Sequence, residues 1–290
     1  MARVLFISGF NRSGTTLVTS ATTEAAQAAT LTVGHLARHM PKLAAFMQTC
    51  KEKGITPDRG VDRLAVTDST PEEYGWLLGG VTGAFSYGPK AEEDGILHRT
   101  VEAIAKENNT STVVLKNPWD IGNEQTLLDN FPDSKIIMVR RQISAIEDSL
   151  ERAWERMATS HDYVLSLVAD DEFAEIIRGI IVDPAARKKQ VDDTKAKMRE
   201  NAKSLAESVA SLPIDRVAFI SYEELREDPL GGASWAAHVV DPAAMAQAIS
   251  AHTFPEFNQP GEVSDIDETW AAAWRAARLR QLEAGIVKPL

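Results

Sequence analysis

Gly9-Phe10-Asn11-Arg12-Ser13-Gly14-Thr15-Thr16 is the stretch on which the fold turns. It follows the apolar run Val4-Leu5-Phe6-Ile7 and Ser8, and precedes a segment rich in Ala and Thr. An apolar run closing on glycine reads as a buried parallel strand, and the Ala/Thr segment as a helix. The glycine spacing between them matches the phosphate-binding pattern G-x-x-x-x-G-K-[ST], in which backbone N–H groups and a helix start surround an anion. Thr15 stands where that pattern has Lys, and Thr16 follows. The anion nest is kept; the cation a triphosphate requires is missing. Arg12, inside the loop, brings charge from another direction. The alternative is a glycine turn that binds nothing, against which stand the many donors of residues 12–16.

Reading outward, the pattern predicts a helix over 17–29 and a second over 35–53, with Pro41 near its start or at a kink. Residues 54–95 are irregular, broken by Gly60, Gly75, Gly79, Gly80, Gly83 and Gly88, with Trp76, Phe85 and Tyr87 between. They read either as a loop region lining a pocket or as a loop pinned to the core by its aromatics. A helix over 96–108, a strand over 112–115, a helix over 122–130 and a strand over 134–139 come next. A helical region spans 144–211, broken near Asp183-Pro184. A strand over 217–221 follows, and the tail from Asp241 is helical apart from a loop near 255–261.

Strands alternating with helices imply an α/β fold, a parallel central sheet flanked by helices. Ligands of such sheets sit beyond the carboxyl ends of the strands. Arg12, Lys116, Arg141 and Tyr222 each follow one of the four expected strands. Arg141, with Ser149 two helical turns on, can converge on a second phosphate, Arg by its fork and Ser by its hydroxyl. Taken alone, an Arg at a strand end is more often a surface ion-pair partner; Arg141 gains weight from the first loop, since a nucleotide with a 5′ and a 3′ phosphate needs two anion sites. No internal repeat is present, and the 290 residues are expected to form a single domain.

The net charge of -11 and pI near 5.1 argue against nucleic acid and against polyanionic polymers. A small anionic nucleotide needs only local cations. Cys50 is the one cysteine, which excludes an internal disulfide and fits a reducing compartment. The apolar N-terminal run is too short for a signal peptide, and no stretch is long enough for a membrane span, so a cytoplasmic location is expected. His35 and His39 share one helix face, but no third ligand has suitable spacing and neither H-E-x-x-H nor C-x-x-C occurs, so no metal is expected. The sequence does not indicate an oligomeric state.

These motifs resemble those of the sulfotransferases that use 3′-phosphoadenosine 5′-phosphosulfate (PAPS). Arg12-Ser13-Gly14-Thr15-Thr16 resembles their 5′-phosphosulfate loop, and Arg141 with Ser149 their 3′-phosphate motif. Residues 131–141, Tyr222-Glu223-Glu224-Leu225, Asp228-Pro229 and Leu115-Lys116-Asn117-Pro118 also resemble that family. The resemblance covers about 1–35 and 112–235 and implies a P-loop NTPase-like sulfotransferase fold with a helical acceptor-side addition at 54–95 and 150–211. It implies cofactor contacts from Asn11, Arg12, Ser13, Gly14, Thr15 and Thr16 at the 5′ side, from Arg141 and Ser149 at the 3′ side, and from Tyr222 on the adenine. Lys116 resembles the Lys that faces the sulfuryl group. The C-terminal Arg-x-Gly-x-x-Gly element is absent; Pro260-Gly261-Glu262-Val263-Ser264 is a looser counterpart that would bring Ser264 near the cofactor. Gln142 stands where the family has an acidic residue.

The resemblance implies in-line transfer of the sulfuryl group to a hydroxyl or amine, leaving adenosine 3′,5′-bisphosphate, with Arg12 and Lys116 stabilising the developing charge. His35 lies where relatives acting on tyrosine in proteins carry a catalytic Glu, and reads as a general base or as a packing residue; His39 is the second candidate. The acidic surface and the aromatics of 54–95 suggest a small acceptor, aromatic or lipophilic. Two rivals remain open. An ATP-dependent small-molecule kinase would need the missing loop Lys and an acidic magnesium ligand at a strand end. A non-catalytic nucleotide-binding relative would keep the fold without turnover.

Overall fold

The computed structural model describes residues 2–62, 64–252 and 263–288. Among the described residues five parallel strands form one sheet: β1 (Arg3–Ser8), β2 (Ala29–Thr30), β3 (Thr112–Lys116), β4 (Lys135–Arg140) and β5 (Val217–Ser221). Their order is β2-β3-β1-β4-β5. From β1 the chain passes to the edge strand β2, returns to β3 beside β1, and then winds outward on the other side through β4 and β5, so the glycine loop leaves β1 at the switch point where such sheets bind ligands.

Side chains alternate across the sheet as the strand period requires. Val4, Phe6, Val113, Leu115, Ile136, Met138, Val217 and Phe219 face one core. There they meet α6 (Ile96–Glu107), α7 (Glu124–Asn130), α11 (Pro184–Val209) and α15 (Asp265–Glu283). Leu5, Ile7, Val114, Ile137, Val139, Ala218 and Ile220 face the other core, against α1 (Thr15–Ala25), α13 (Pro229–Ser234) and α14 (Pro242–Ser250). Both faces are covered, which is why these strands are apolar throughout.

The sequence pattern missed β2, which begins at Ala29, the last residue of the expected first helix. That helix stops at Ala25, and Gln27 takes a positive φ of 48°, turning the chain into the strand. The expected second helix is two helices, α2 (Val33–Ala37) and α3 (Pro41–Glu52). Pro41 begins α3, where its missing N–H has no intrahelical acceptor to lose. The irregular stretch 54–95 holds α4 (Tyr74–Thr82) and α5 (Pro89–Asp94). Gly75 and Gly79 lie within α4 because a Cβ there would come within 2.5 Å of Asn117 and Trp119 and within 2.7 Å of Phe85. These glycines permit close approach; they do not break the helix.

The region 144–211 divides into α8 (Ile143–Met157), α9 (Asp162–Ser166), α10 (Asp171–Val182) and α11. Asp183 caps α11 by accepting from the Ala185 N–H, and Pro184 opens it. A short α12 (Tyr222–Glu227) follows β5 directly. The expected loop near 255–261, with Pro260, Gly261 and Glu262, lies outside the described residues apart from what borders it. Among the described residues no helix is long and apolar enough to cross a membrane.

Candidate functional site

The site is built from the loop after β1. Arg12 sits in the left-handed region at φ 71°, and Gly14 at φ 94° is the residue before α1. No side chain caps α1, so its first N–H groups keep their donors for an anion. Phe10 is buried, its ring 6.1 Å from Trp270 of α15, which pins the loop to the core. The Ser13 hydroxyl is fully buried and has no hydrogen-bond partner among the described residues. Asn11 is exposed at the crest, and Thr15 is buried beneath it.

Gly14 meets a second requirement. A Cβ there would lie 2.3 Å from the Tyr222 ring. Tyr222, the first residue of α12, therefore packs directly against the loop at Gly14, and the Arg141 guanidinium stands 4.7 Å from the centre of its ring. Arg141 also donates to the Arg12 carbonyl at 2.7 Å, and Arg12 Nε donates to Ser149 Oγ at 3.1 Å. Glu223 ties the ends of β4 and β5 together by accepting from the Gln142 N–H at 2.9 Å and from the Ser221 hydroxyl at 2.8 Å. The structure thus brings Arg12, Gly14, Arg141, Ser149 and Tyr222 into one connected group.

Lys116, at the end of β3, is 2% exposed. Its ammonium donates to Thr16 Oγ1 at 3.1 Å and to Glu73 at 2.9 Å. Glu73 precedes α4, but its carboxylate makes no capping bond; it turns to Lys116 instead. Burial raises the Glu73 pKa, but Lys116 and Arg59 outweigh it and hold the carboxyl below its ordinary value. Sequence reasoning missed this residue. The available signal was the acidic pair Glu72-Glu73 after Pro71, which has no hydrophobic period to mark it.

The electrostatics favour an anion. Burial lowers the Arg12 pKa, and Arg59, Arg141 and Arg156 add to that, against support from Asp62. Burial also lowers the Arg141 pKa, with Arg152 and Arg226 contributing. A cluster of arginines at the strand ends of a chain whose net charge is -11 is a local reversal of sign.

His35 is placed differently. Its Nδ1 accepts from the Thr32 N–H at 3.1 Å and lies 2.8 Å from Thr32 Oγ1, closing a capping box at the start of α2. Its Nε2 is 3.6 Å from Glu107, the last residue of α6. Glu107 precedes the start of β3, whereas Lys116 ends it. Burial lowers the His35 pKa. Among the described residues no hydrogen bond or ion pair joins His35 to Lys116 or Arg12, and His39 is exposed. Ser264 caps α15, donating to Asp267 at 2.8 Å. Asp267 in turn accepts from the Ile143 N–H at the start of α8, two residues after Arg141 in sequence. No group of three or more His, Cys, Asp or Glu side chains able to hold a metal occurs among the described residues.

Beside Glu73 and Lys116 stands an aromatic wall. Trp76, Phe85 and Trp119 are half-buried, with ring centres 5.0 to 5.4 Å apart. Phe173 of α10 extends it at 6.4 Å and is 40% exposed. Tyr87, expected among these aromatics, is buried against Phe131 and belongs to the core. Asp120 fastens the wall by accepting from the Tyr87 N–H, from Asn117 and from the Tyr74 hydroxyl.

A parallel sheet with a phosphate-binding loop at its switch point defines an α/β protein of the P-loop-like class. Within that class, the sequence profile of the sulfotransferase family matches residues 5–234, and the chain belongs to that family. Sulfotransferase STF9 from Mycobacterium avium is similar over 99% of this chain and 78% of its own, at 15% identity and a TM-score of 0.57. Sulfotransferase STF1 from Mycobacterium tuberculosis H37Rv is similar over 94% and 77%, at 17% identity and a TM-score of 0.53. At these identities the likeness is one of fold. No curated protein matches the sequence. The chain is a sulfotransferase, and the kinase reading falls with that assignment.

Proposed function

We propose that the protein moves a sulfuryl group from PAPS to the hydroxyl or amine of a small aromatic or lipophilic acceptor, with Glu73 taking the acceptor's proton. The observation that carries the reading is the pairing of Glu73 with Lys116, within 2.9 Å, beside a loop whose Arg12 meets Ser149 and Arg141. The residues present fit the donor. The buried Ser13 hydroxyl lacks a partner among the described residues, Gly14 leaves no room for a Cβ, and burial together with Arg59, Arg141 and Arg156 lowers the Arg12 pKa in spite of Asp62, a setting that an anion would relieve.

On this reading residues 11–16 hold the 5′ end, Arg141 and Ser149 the 3′-phosphate, and Tyr222 the adenine; Ser264 stands at the turn beside them. PAPS, when bound, supplies the sulfuryl group and leaves as adenosine 3′,5′-bisphosphate. Lys116 and Arg12 oppose the negative charge that grows as the old S–O bond breaks. Glu73, ionised because two cations outweigh its burial, accepts the proton as the acceptor oxygen or nitrogen bonds to sulfur. Its partner Lys116 keeps the carboxylate aimed at the same point. We place proton acceptance on Glu73 in preference to His35 because His35 is committed to Thr32 and Glu107.

The acceptor class is supported by Trp76, Phe85 and Trp119, which reach the site from the same elements as the reactive pair: Trp76 lies three residues after Glu73, and Trp119 three after Lys116. Half-exposed aromatic rings bind flat apolar groups well. Phe173 brings the helical stretch 150–211 to this side, in keeping with one sulfotransferase domain with acceptor-side additions. The test is a transfer assay with radiolabelled PAPS and a panel of phenols, lipophilic alcohols and amines. A phenol or lipophilic alcohol should be sulfated, and Glu73→Gln should lower kcat on the order of 100-fold with adenosine 3′,5′-bisphosphate binding unchanged. Full activity of Glu73→Gln would remove Glu73 from the mechanism.

A further inference from the structure

Glu72 takes no part in the transfer chemistry, yet its carboxylate gathers donors from three segments. It accepts from Arg59 Nη2 at 3.1 Å, from the backbone N–H of Glu73 at 3.2 Å and from the Tyr163 hydroxyl at 2.6 Å. Glu72 is 2% exposed and Arg59 6%. A buried ion pair of this kind is a weak source of stability, since apolar side chains of equal volume do as well. What it supplies here is direction. The carboxylate is bonded to the very peptide that carries Glu73.

The surrounding segment is itself anchored. Asp58 bridges Ala65, and Arg59 N–H donates to the Leu64 carbonyl at 3.0 Å. Gly60 packs so closely on the Ser160 carbonyl that a Cβ would lie 2.1 Å from it. Arg59 also reaches Asp62 at 3.4 Å, and Asp62 lies 3.8 Å from Arg12. Tyr163, on α9, packs against Phe46 of α3 at 6.3 Å. Three parts of the fold therefore converge on one carboxylate.

We propose that Arg59 and Tyr163, acting through Glu72, are positioning residues that hold the Glu73 carboxylate against Lys116. The inference rests on the reading of Glu73 as proton acceptor. The backbone of this segment stays tied by the Glu72 N–H to the Leu31 carbonyl, but without these side-chain bonds the Glu72 carboxylate no longer fixes the Glu73 N–H, and the Glu73 carboxylate is set less firmly on the line between Lys116 and the acceptor. A misplacement of about 1 Å costs on the order of 100-fold in rate.

The charged and titratable groups facing Glu73 are Lys116 from β3, Arg59, Asp62 and Glu72 from the segment before α4, and Tyr163 from α9. Burial pushes the Glu73 carboxyl up, and Lys116 and Arg59 together bring it down. Removing Arg59 therefore raises that pKa. A base protonated at higher pH is lost earlier as pH falls, so the acid limb of the rate profile moves upward.

The experiment is steady-state kinetics across pH with PAPS and a phenol that the wild type turns over. Tyr163→Phe should lower kcat about 10- to 100-fold with KM for PAPS unchanged, because Tyr163 touches neither Arg12 nor Lys116 in the hydrogen bonds and ion pairs of the site. Arg59→Lys, which keeps the charge and loses the fork, should lower kcat with the acid limb near its wild-type position. Arg59→Met should also shift that limb upward. Should Arg59→Met fail to fold, the near-isosteric Tyr163→Phe still decides the matter. Wild-type kcat and pH profile in both Tyr163→Phe and Arg59→Lys, with Glu73→Gln inactive, would overturn the positioning role alone. An active Glu73→Gln overturns the proton-acceptor reading, and the positioning role falls with it.

Discussion

Lys116→Met should lower kcat by about 1,000-fold while binding of adenosine 3′,5′-bisphosphate changes little. The expected size is that of losing one preorganised charge at a developing anion, about 2.7–4 kcal/mol. Methionine keeps most of the volume of a side chain that is 2% exposed, so the core around it need not collapse. The stability cost comes from Glu73, which loses its cation at 2.9 Å. The double variant Lys116→Met, Glu73→Gln removes that unpaired charge. It should regain stability by thermal melting and remain inactive, which separates the chemical loss from the folding loss. Wild-type turnover in Lys116→Met would exclude Lys116 from the reaction.

Gly14→Ala should weaken adenosine 3′,5′-bisphosphate about 10- to 100-fold. A residue with a Cβ at φ 94° is strained by about 1–3 kcal/mol, a cost that falls on folding stability. Its Cβ would also lie 2.3 Å from the Tyr222 ring, so the ring must leave the loop. The resemblance gives that ring to the adenine, and losing an aromatic platform costs about 1–3 kcal/mol. Displacing Tyr222 also moves Arg141, which lies over it. Titration calorimetry reads the affinity directly, and circular dichroism should show the helices retained. Unchanged affinity would mean that Tyr222 and Gly14 do not form the nucleotide's bed.

The sheet was legible because each long strand announces itself twice, as an apolar run and as a run ending in a polar residue. Residues 217–221 are the strand in both readings. The two-residue β2 carries too little pattern to be seen against the helix before it. The position of Arg12, Lys116, Arg141 and Tyr222 at the carboxyl edge of the sheet was legible for the same reason as the strands, since each sits at a fixed place relative to a strand end. Glu73, Arg59 and Asp62 come from a segment with no period, and only tertiary contacts bring them to Lys116 and Arg12. His35 shows the converse. Its place after the first helix resembles that of a catalytic carboxylate, but Thr32 three residues before it makes a capping box, and that local bond takes the ring. The glycines of 54–95 were read as breaks, whereas Gly75 and Gly79 are spaces through which Asn117, Trp119 and Phe85 approach α4.

The loop lacks the lysine of a triphosphate site and gathers arginines in its stead, and this contrast can be measured in one instrument. Isothermal titration of the wild-type protein with adenosine 3′,5′-bisphosphate, and in parallel with ATP and Mg²⁺, tests it most directly. The account predicts saturable one-to-one binding of the bisphosphate, weakened about 100-fold or more by Arg141→Ala, a loss of about 3 kcal/mol for a charge-assisted contact. It predicts far weaker binding of ATP with Mg²⁺. Tight binding of ATP with Mg²⁺, and none of the bisphosphate, would contradict it.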